Sequence, residues 1–404
     1  MNDFLKNIFR ALKFRNFRLF FIGQSISLIG TWMQSIAMSW LVYRMTGSAM
    51  LLGIVGFSSQ IPTFILSPFA GVFADRYNRH RIVIVTQTLS MIQAFILAYL
   101  TLAGKIQVWQ IIALGLFLGC INAVDIPTRQ SFLIDMVEKK EMLGNAIALN
   151  SAMFNGARLI GPTVAGILVA VVGEGICFLL NALSFIAVIA SLLMMKLTKK
   201  EDKGRASRVM QELKEGVIYT FNSKPIRSIL MLLSIISMLG MSYVVLMPVF
   251  ARDIHHGGPA TLGVLMAAIG VGALIATLYL ASRKTTPTLE KGIPIAAAIF
   301  TGGVILFALS RVLWVSIILL VITGFGFLTT TASSNTILQT IVHDDKRGRV
   351  MSFYTMAFMG MAPIGSLLAG ALASKFGATD ALLFGGFSCL FANLVFYRLT
   401  NPLK

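Results

Sequence analysis

Three ionisable side chains stand inside long apolar runs: Asp125, Arg129 and Arg158. A charge in hydrocarbon is costly, so each needs a partner, water or a ligand, and each is a candidate for function. Asp125 and Arg129 are four residues apart, which sets them on one helix face within reach of each other. Two chemistries are open to that pair. Asp125 can take up and release a proton, with burial raising its pKa and Arg129 or Arg158 lowering it; or the pair is a structural clamp. Arg158 lies deeper in its run and suits an anionic substrate or an acidic partner in a cavity. A denser set of charges occupies GVFADRYNRHR, residues 71–81, where Gly71, Asp75, Arg76, Arg79 and Arg81 fill the short gap between two apolar stretches. A basic loop on one face of a membrane explains the three arginines. It does not explain Asp75, held in order with Gly71 and the bases.

Other chemistries find no support in the residues. There is no P-loop, so ATP does not drive the protein directly. Cys120, Cys177 and Cys389 each lie in an apolar run with no CxxC spacing, and read as packing residues. His255 and His256 are adjacent and cannot turn to one ligand on a helix, which argues against zinc. No nucleophile–base pair emerges, so neither an enzyme nor a cofactor is expected.

The elements that position these side chains follow from composition. The chain has 404 residues, 56% hydrophobic and 12% charged, with mean hydropathy +0.82. A soluble chain is about a quarter charged, so the bilayer is the natural solvent for this one. Twelve stretches are long enough to cross it: 17–43, 49–73, 82–103, 108–134, 142–172, 175–196, 226–251, 259–282, 292–310, 312–342, 348–374 and 379–397. Their backbones must satisfy themselves in lipid, so they are helices. Lys and Arg fix the orientation. With the N-terminus inside, only Arg44, Lys105, Arg252, Arg311 and Lys375 fall in outer segments; all the others except Arg158 are inside. Both termini are therefore expected in the cytoplasm, and the net charge of +18 needs no nucleic acid. The first 18 residues are basic and amphipathic, as in a helix lying on the inner membrane surface. No cleavable signal is visible.

The longest hydrophilic break, 197–225, falls midway and divides the chain into a six-helix half at 1–196, a cytoplasmic linker with an amphipathic helix at 197–225, and a second six-helix half at 226–404. The halves repeat. A shift of 204 residues carries Gly144, Phe154, Gly156, Gly161, Ala165, Gly166 and Gly173 onto Gly348, Phe358, Gly360, Gly365, Ala369, Gly370 and Gly377. A parallel repeat of two six-helix halves is a secondary-transporter architecture.

Polar stripes mark candidate cavity walls. Gln24, Ser27, Thr31, Gln34 and Ser35 recur every three or four residues in the first span; that face must meet protein or water, either as a cavity wall or through helix-packing hydrogen bonds. Ser333, Ser334, Asn335 and Gln339 give the tenth span a similar patch, Tyr243 can line the seventh, and Asn181 is a weaker candidate.

The 71–81 stretch resembles the signature between spans two and three of the major facilitator superfamily: Gly, three residues, Asp, a base, any residue, Gly, then bases. Asn78 stands where that family usually has Gly, and Asn tolerates the left-handed backbone such a turn uses; His80 replaces a frequent base. The resemblance implies a gate latch, with Asp75 and Arg76 or Arg79 locking the inner helix ends and Asp75 meeting the start of span eleven near Gly348. It narrows in spans four and five. Asn122, Asp125, Pro127, Arg129 and Gln130, then Asn145, Ala146, Asn150, Asn155, Arg158, Gly161, Pro162 and Gly166, are similar to drug:proton antiporters, the subgroup with enterobactin exporters and macrolide efflux pumps. The Gly161-Pro162 and Gly166 element resembles the span-five motif of antiporters, whose small residues pack helices across the half-domain interface. What this implies is a monomeric, proton-coupled exporter of a siderophore or hydrophobic drug in a bacterial inner membrane, with Asn155 and Arg158 among its cavity residues. A lipid or lysophospholipid flippase on the same fold, and a non-transporting receptor or scaffold, are the alternatives.

Overall fold

The computed structural model describes residues 9–137, 140–196, 219–220, 222–282 and 286–400; the 197–218 stretch of the linker, with most of its amphipathic segment, lies outside them. Long helices follow one another. They are α1 Arg15–Thr46, α2 Ala49–Arg76, α3 Arg79–Leu102, α4 Val108–Met136, α5 Leu143–Val172 and α6 Glu174–Leu193, then α7 Lys224–Ile254, α8 Pro259–Ala281, α9 Thr286–Leu309 and α10 Leu313–Ile341. Helix α11 runs as Asp344–Thr355, a π-helical turn at Met356–Gly360, and Met361–Phe376, and α12 is Ala378–Thr400. Among the described residues, 11 of these are long and apolar enough to cross a membrane. The exception is α1. It has 32 residues, but the stripe from Gln24 to Ser35 lowers its hydropathy, so the expected first span does not stand out as the others do.

The chain forms two compact units: residues 1–41 with 58–204, and residues 42–57 with 205–404. In the first, α3 packs on α4 and α6, and α5 on α6; in the second, α9 packs on α10 and α12, and α11 on α12. The pairs α3–α6 and α9–α12 correspond under the repeat. The backbone repeats as well. Gly173 after α5 and Gly377 after α11, which match under the 204-residue shift, have φ 83° and 94°, a region that disfavours any residue with a Cβ.

The start of the chain differs from the surface helix expected of it. Arg10–Lys13 is a short 3₁₀ turn, and Arg15 and Arg18 already belong to α1. Ala11 and Phe17 are buried in the core of the first unit, and the Ala11 amide donates to Asn145 Oδ1 at 2.9 Å on α5. Asn16 is tied in both directions to the Lys196 backbone beyond α6. These apolar side chains find a protein groove, which excludes water more fully than a membrane surface does.

Candidate functional site

Asp125 lies on α4 with 3% of its surface exposed. Its Oδ1 accepts from Thr86 Oγ1 at 2.7 Å and Gln87 Nε2 at 2.9 Å, both on α3. Its Oδ2 stands 3.1 Å from Arg129 Nε, an ion pair whose N–H points off the line of a hydrogen bond. The sequence supplies the Asp125–Arg129 pair by its spacing; Thr86 and Gln87 are supplied only by the packing of α3 on α4. Two donors and a cation thus converge on this carboxylate.

Arg158 sits half-way along the 30 residues of α5. Its guanidinium carbon is 5.6 Å from the centre of the Trp32 ring on α1. Phe154, one turn earlier, meets the same ring edge-on, with centroids 5.8 Å apart and planes at 74°. Phe154 and Thr31 are exposed, Asn155 is half-buried, and the Asn155 amide donates to the Ser151 carbonyl. Nothing in the sequence singles out Trp32 except that it adjoins Thr31 within the polar stripe.

That stripe does not form one face. Gln24, Ser27 and Gln34 are buried, whereas Thr31 and Ser35 are exposed. Gln34 is engaged by two other helices. It donates to Gln93 Oε1 at 3.2 Å and accepts from Asn181 Nδ2 at 2.8 Å, so helix-packing hydrogen bonds join α1, α3 and α6. Gln24 Oε1 and Ser27 Oγ are buried without a hydrogen-bond partner among the described residues. In the second unit, Gln339 donates to Asn335 Oδ1 at 2.5 Å, and Tyr354 donates to the Thr331 carbonyl. Tyr243 is fully buried against Phe300.

The latch residues divide. Helix α2 continues to Arg76, so Gly71, Asp75 and Arg76 stand on a helix end; the side chains of Asp75 and Arg76, and the surroundings of Gly71 and Gly348, lie outside what is described. Arg79 pairs with Asp135 of α4 at 3.3 Å. Asn78 is not left-handed. It has φ −64° and ψ 109°, and its side chain accepts from the Arg81 amide. This is an N-cap, the role for which a short polar side chain is favoured. Arg81 lines a groove of about 500 Å³ with Val85, Phe117 and Cys120.

Within the span-five motif, the structure gives a close contact for Gly161. Gly161, Pro162 and Gly166 are buried, but Gly161 faces α1 of its own unit: a Cβ there would stand 2.5 Å from Trp32 Cβ and 3.0 Å from the Ile29 carbonyl oxygen. Its repeat partner Gly365 meets α7 in the same way, with Met238 O at 2.2 Å. Both glycines let a helix lie against a neighbour within one unit.

Within the second unit, the 42–57 segment makes contacts that sequence spacing could not show. Tyr43 donates to the Asp253 carboxylate on α7. Arg252 lies over the Tyr43 ring at 5.7 Å and donates to its carbonyl at 3.3 Å. Gly53 and Gly370 bring α2 and α11 into backbone contact. A cavity of about 710 Å³ adjoins this tie, lined by Tyr43, Asp253, Thr379 and Asp380 among others. Nearby, His255 is half-buried; burial first, then Arg311, holds its pKa below the ordinary imidazole value. Among the described residues no group of three or more His, Cys, Asp or Glu could hold a metal.

Solved membrane transporters share this fold. A bacterial homologue of the human lysosomal transporter Spinster, in an inward-facing conformation, superposes with TM-score 0.77 at 11% identity, covering 96% of this chain and 97% of that one. A bacterial homologue of the iron transporter ferroportin, also inward-facing, gives 0.68 at 16%, covering 96% and 98%. At these identities the likeness shows a shared fold. The chain belongs to the transmembrane secretion effector family of the major facilitator superfamily, which it matches over residues 7–403. It is 31% identical over 395 residues to the staphyloferrin A transporter of Staphylococcus aureus, spanning 96% of this chain and 97% of that protein. Macrolide efflux protein A of Streptococcus pyogenes is 22% identical over 386 residues (93% and 94% covered). The multidrug efflux pump Tap of Mycobacterium tuberculosis is 24% identical over 375 residues (90% and 88% covered).

Proposed function

We propose that the protein is a secondary active exporter of a bacterial inner membrane, carrying a siderophore or a hydrophobic drug outward by alternating access and driven by the proton gradient. The observation that carries this reading is the nearly end-to-end match to a siderophore transporter and to efflux proteins. In it, α1 with its polar stripe is a twelfth span, the halves 1–196 and 226–404 rock about a central site, and the Lys- and Arg-rich ends face the cytoplasm. The protein works as a monomer. Asp125 is the clamp of the two roles open to it, since its oxygens are already taken by Thr86, Gln87 and Arg129. The 71–81 turn is the inner latch.

The test is accumulation of a panel of siderophores and dyes in cells stripped of their own pumps, with and without a protonophore. Lower accumulation that the protonophore restores is the expected result. Export unaffected by the protonophore removes the proton gradient as driver, and no movement of any compound removes the exporter reading.

Alternating access makes a second demand. The Tyr43–Asp253 tie must break whenever the 42–57 end opens to the outside. Tyr43→Phe removes the hydroxyl donor and keeps the ring under Arg252. Labelling of a cysteine placed at Thr379 by a water-soluble maleimide is expected to rise about threefold in Tyr43→Phe, corresponding to a net hydrogen bond of the usual strength. An unchanged rate separates the tie from opening.

A further inference from the structure

Building on the exporter reading, we infer that Arg158 and Trp32 recognise an amphiphilic organic anion, so that the transported molecule carries a carboxylate or phenolate beside a flat apolar body. The argument begins with the position of the charge. Arg158 is at the middle of a membrane-crossing helix, and a guanidinium does not shed its proton there. Such a charge is held only by an acid, by water or by a ligand. Among the described residues Arg158 has no hydrogen bond or ion pair, and its contact is with the face of Trp32.

Of the acids on the first unit's spans whose side chains are described, none pairs with Arg158. Asp125 is taken by Thr86, Gln87 and Arg129, and Asp135 by Arg79. Glu174 opens α6, a full half-helix from Arg158 in α5. An aromatic face steadies a cation without neutralising it, so the guanidinium edge keeps its donors for a carboxylate, which it binds in a two-pronged fashion.

The surroundings supply the second half of the recognition. Phe154 is 43% exposed and stands edge-on to Trp32, so the two rings offer an apolar flank to a planar body lying beside the charge. A cationic drug would meet a like charge at this place. A neutral one would leave the guanidinium desolvated and without a counter-charge. The site therefore discriminates by sign of charge more than by shape.

Fluorescein and rhodamine 6G share a xanthene body and carry opposite charge at neutral pH, which makes them the probes. Binding of each to the purified full chain in lipid nanodiscs is read by fluorescence anisotropy. Fluorescein is expected to bind and rhodamine 6G to bind more weakly. Arg158→Gln should weaken fluorescein about tenfold or more, and Arg158→Lys about threefold, because it keeps the charge and loses the fork. Arg158→Gln should also tighten rhodamine 6G. Arg158→Lys guards against a folding defect, checked by an unchanged size-exclusion profile.

Fluorescein affinity that stays the same in Arg158→Gln overturns the inference, as does tighter binding of rhodamine 6G than of fluorescein by the unaltered protein, or no fluorescein binding at all. Efflux of both dyes from loaded cells separates this inference from the exporter reading. Arg158-dependent fluorescein binding with no efflux of either dye supports the anion site and counts against the exporter. Efflux of either dye, with fluorescein binding unchanged in Arg158→Gln, supports the exporter and overturns the anion site.

Discussion

Gly365→Ala is expected to destabilise the protein by about 3 kcal/mol, the upper end of what overpacking costs in a close-packed interior. The new methyl would stand 2.2 Å from the Met238 carbonyl oxygen, 2.9 Å from its carbonyl carbon and 3.0 Å from its Cα. All three are backbone atoms, so no rotamer change relieves the clash; α11 or α7 must move as a body. Met238 lies in the π-helical turn Ile236–Gly240, which is already joined to the matching turn of α11 by the Ser237 hydroxyl on the Phe358 carbonyl. Gly156→Ala is the control. It is also a helical glycine of the repeat, but nothing lies within 4 Å of its added Cβ, and Ala there gains up to about 1 kcal/mol of helix propensity. The two variants should thus shift the thermal midpoint in opposite directions, measured by the fraction surviving size exclusion after heating in detergent. Equal midpoints would show that the α7–α11 contact is not the constraint described.

Asp125→Ala is the second large effect, about 3–5 kcal/mol, the usual consequence of removing one partner of a buried ion pair. The loss is compound. Arg129 keeps its charge at 19% side-chain exposure, and the Thr86 hydroxyl and the Gln87 amide lose their shared acceptor. Asp125→Asn retains an oxygen for those two donors but presents an amide to Arg129, and should cost about 1–3 kcal/mol. The two roles of Asp125 then separate in the behaviour of the folded protein. A clamp predicts that Asp125→Asn, corrected for the amount of folded protein in the membrane, still exports and still stops with a protonophore. Export lost at undiminished stability would instead make Asp125 the group that carries the proton.

The same residue shows how far the sequence can be read. Asp125 and Arg129 are legible as a pair because i, i+4 spacing acts within one helix. Thr86 and Gln87 are not, because their part depends on the rotation of α3 against α4, which no local pattern encodes. Gln34 makes the point from the other side. Its spacing with Gln24 and Thr31 fits a cavity-lining stripe, yet Gln93 and Asn181 arrive from two other helices and bury it. The glycines of span five are recognisable as packing residues, but the helix that Gly161 packs on is α1, since Trp32 presents its Cβ where a side chain at Gly161 would have to go. Asn78 suits a left-handed turn by residue type and is instead an N-cap, with φ −64° and its side chain accepting from the Arg81 amide at the start of α3.

By itself the sequence determined that this is a membrane-embedded helical chain of the major facilitator type, with its bases gathered in alternate loops and a 204-residue repeat. The helices, the alternating bases and the repeat follow from hydropathy, charge and local spacing, which act before any helix meets another; the family type rests on the resemblance of the 71–81 stretch and of the motifs in spans four and five. Tertiary structure decided which polar groups are consumed in packing and which remain free to act. It joined Tyr43 to Asp253 across 210 positions of sequence, closed the shell around Asp125, and laid Arg158 on Trp32 with no acid among the described residues paired to it. The reason is physical: in lipid each helix satisfies its own backbone, so the identity of its neighbours is left to side-chain fit, and that fit exists only once the helices are side by side.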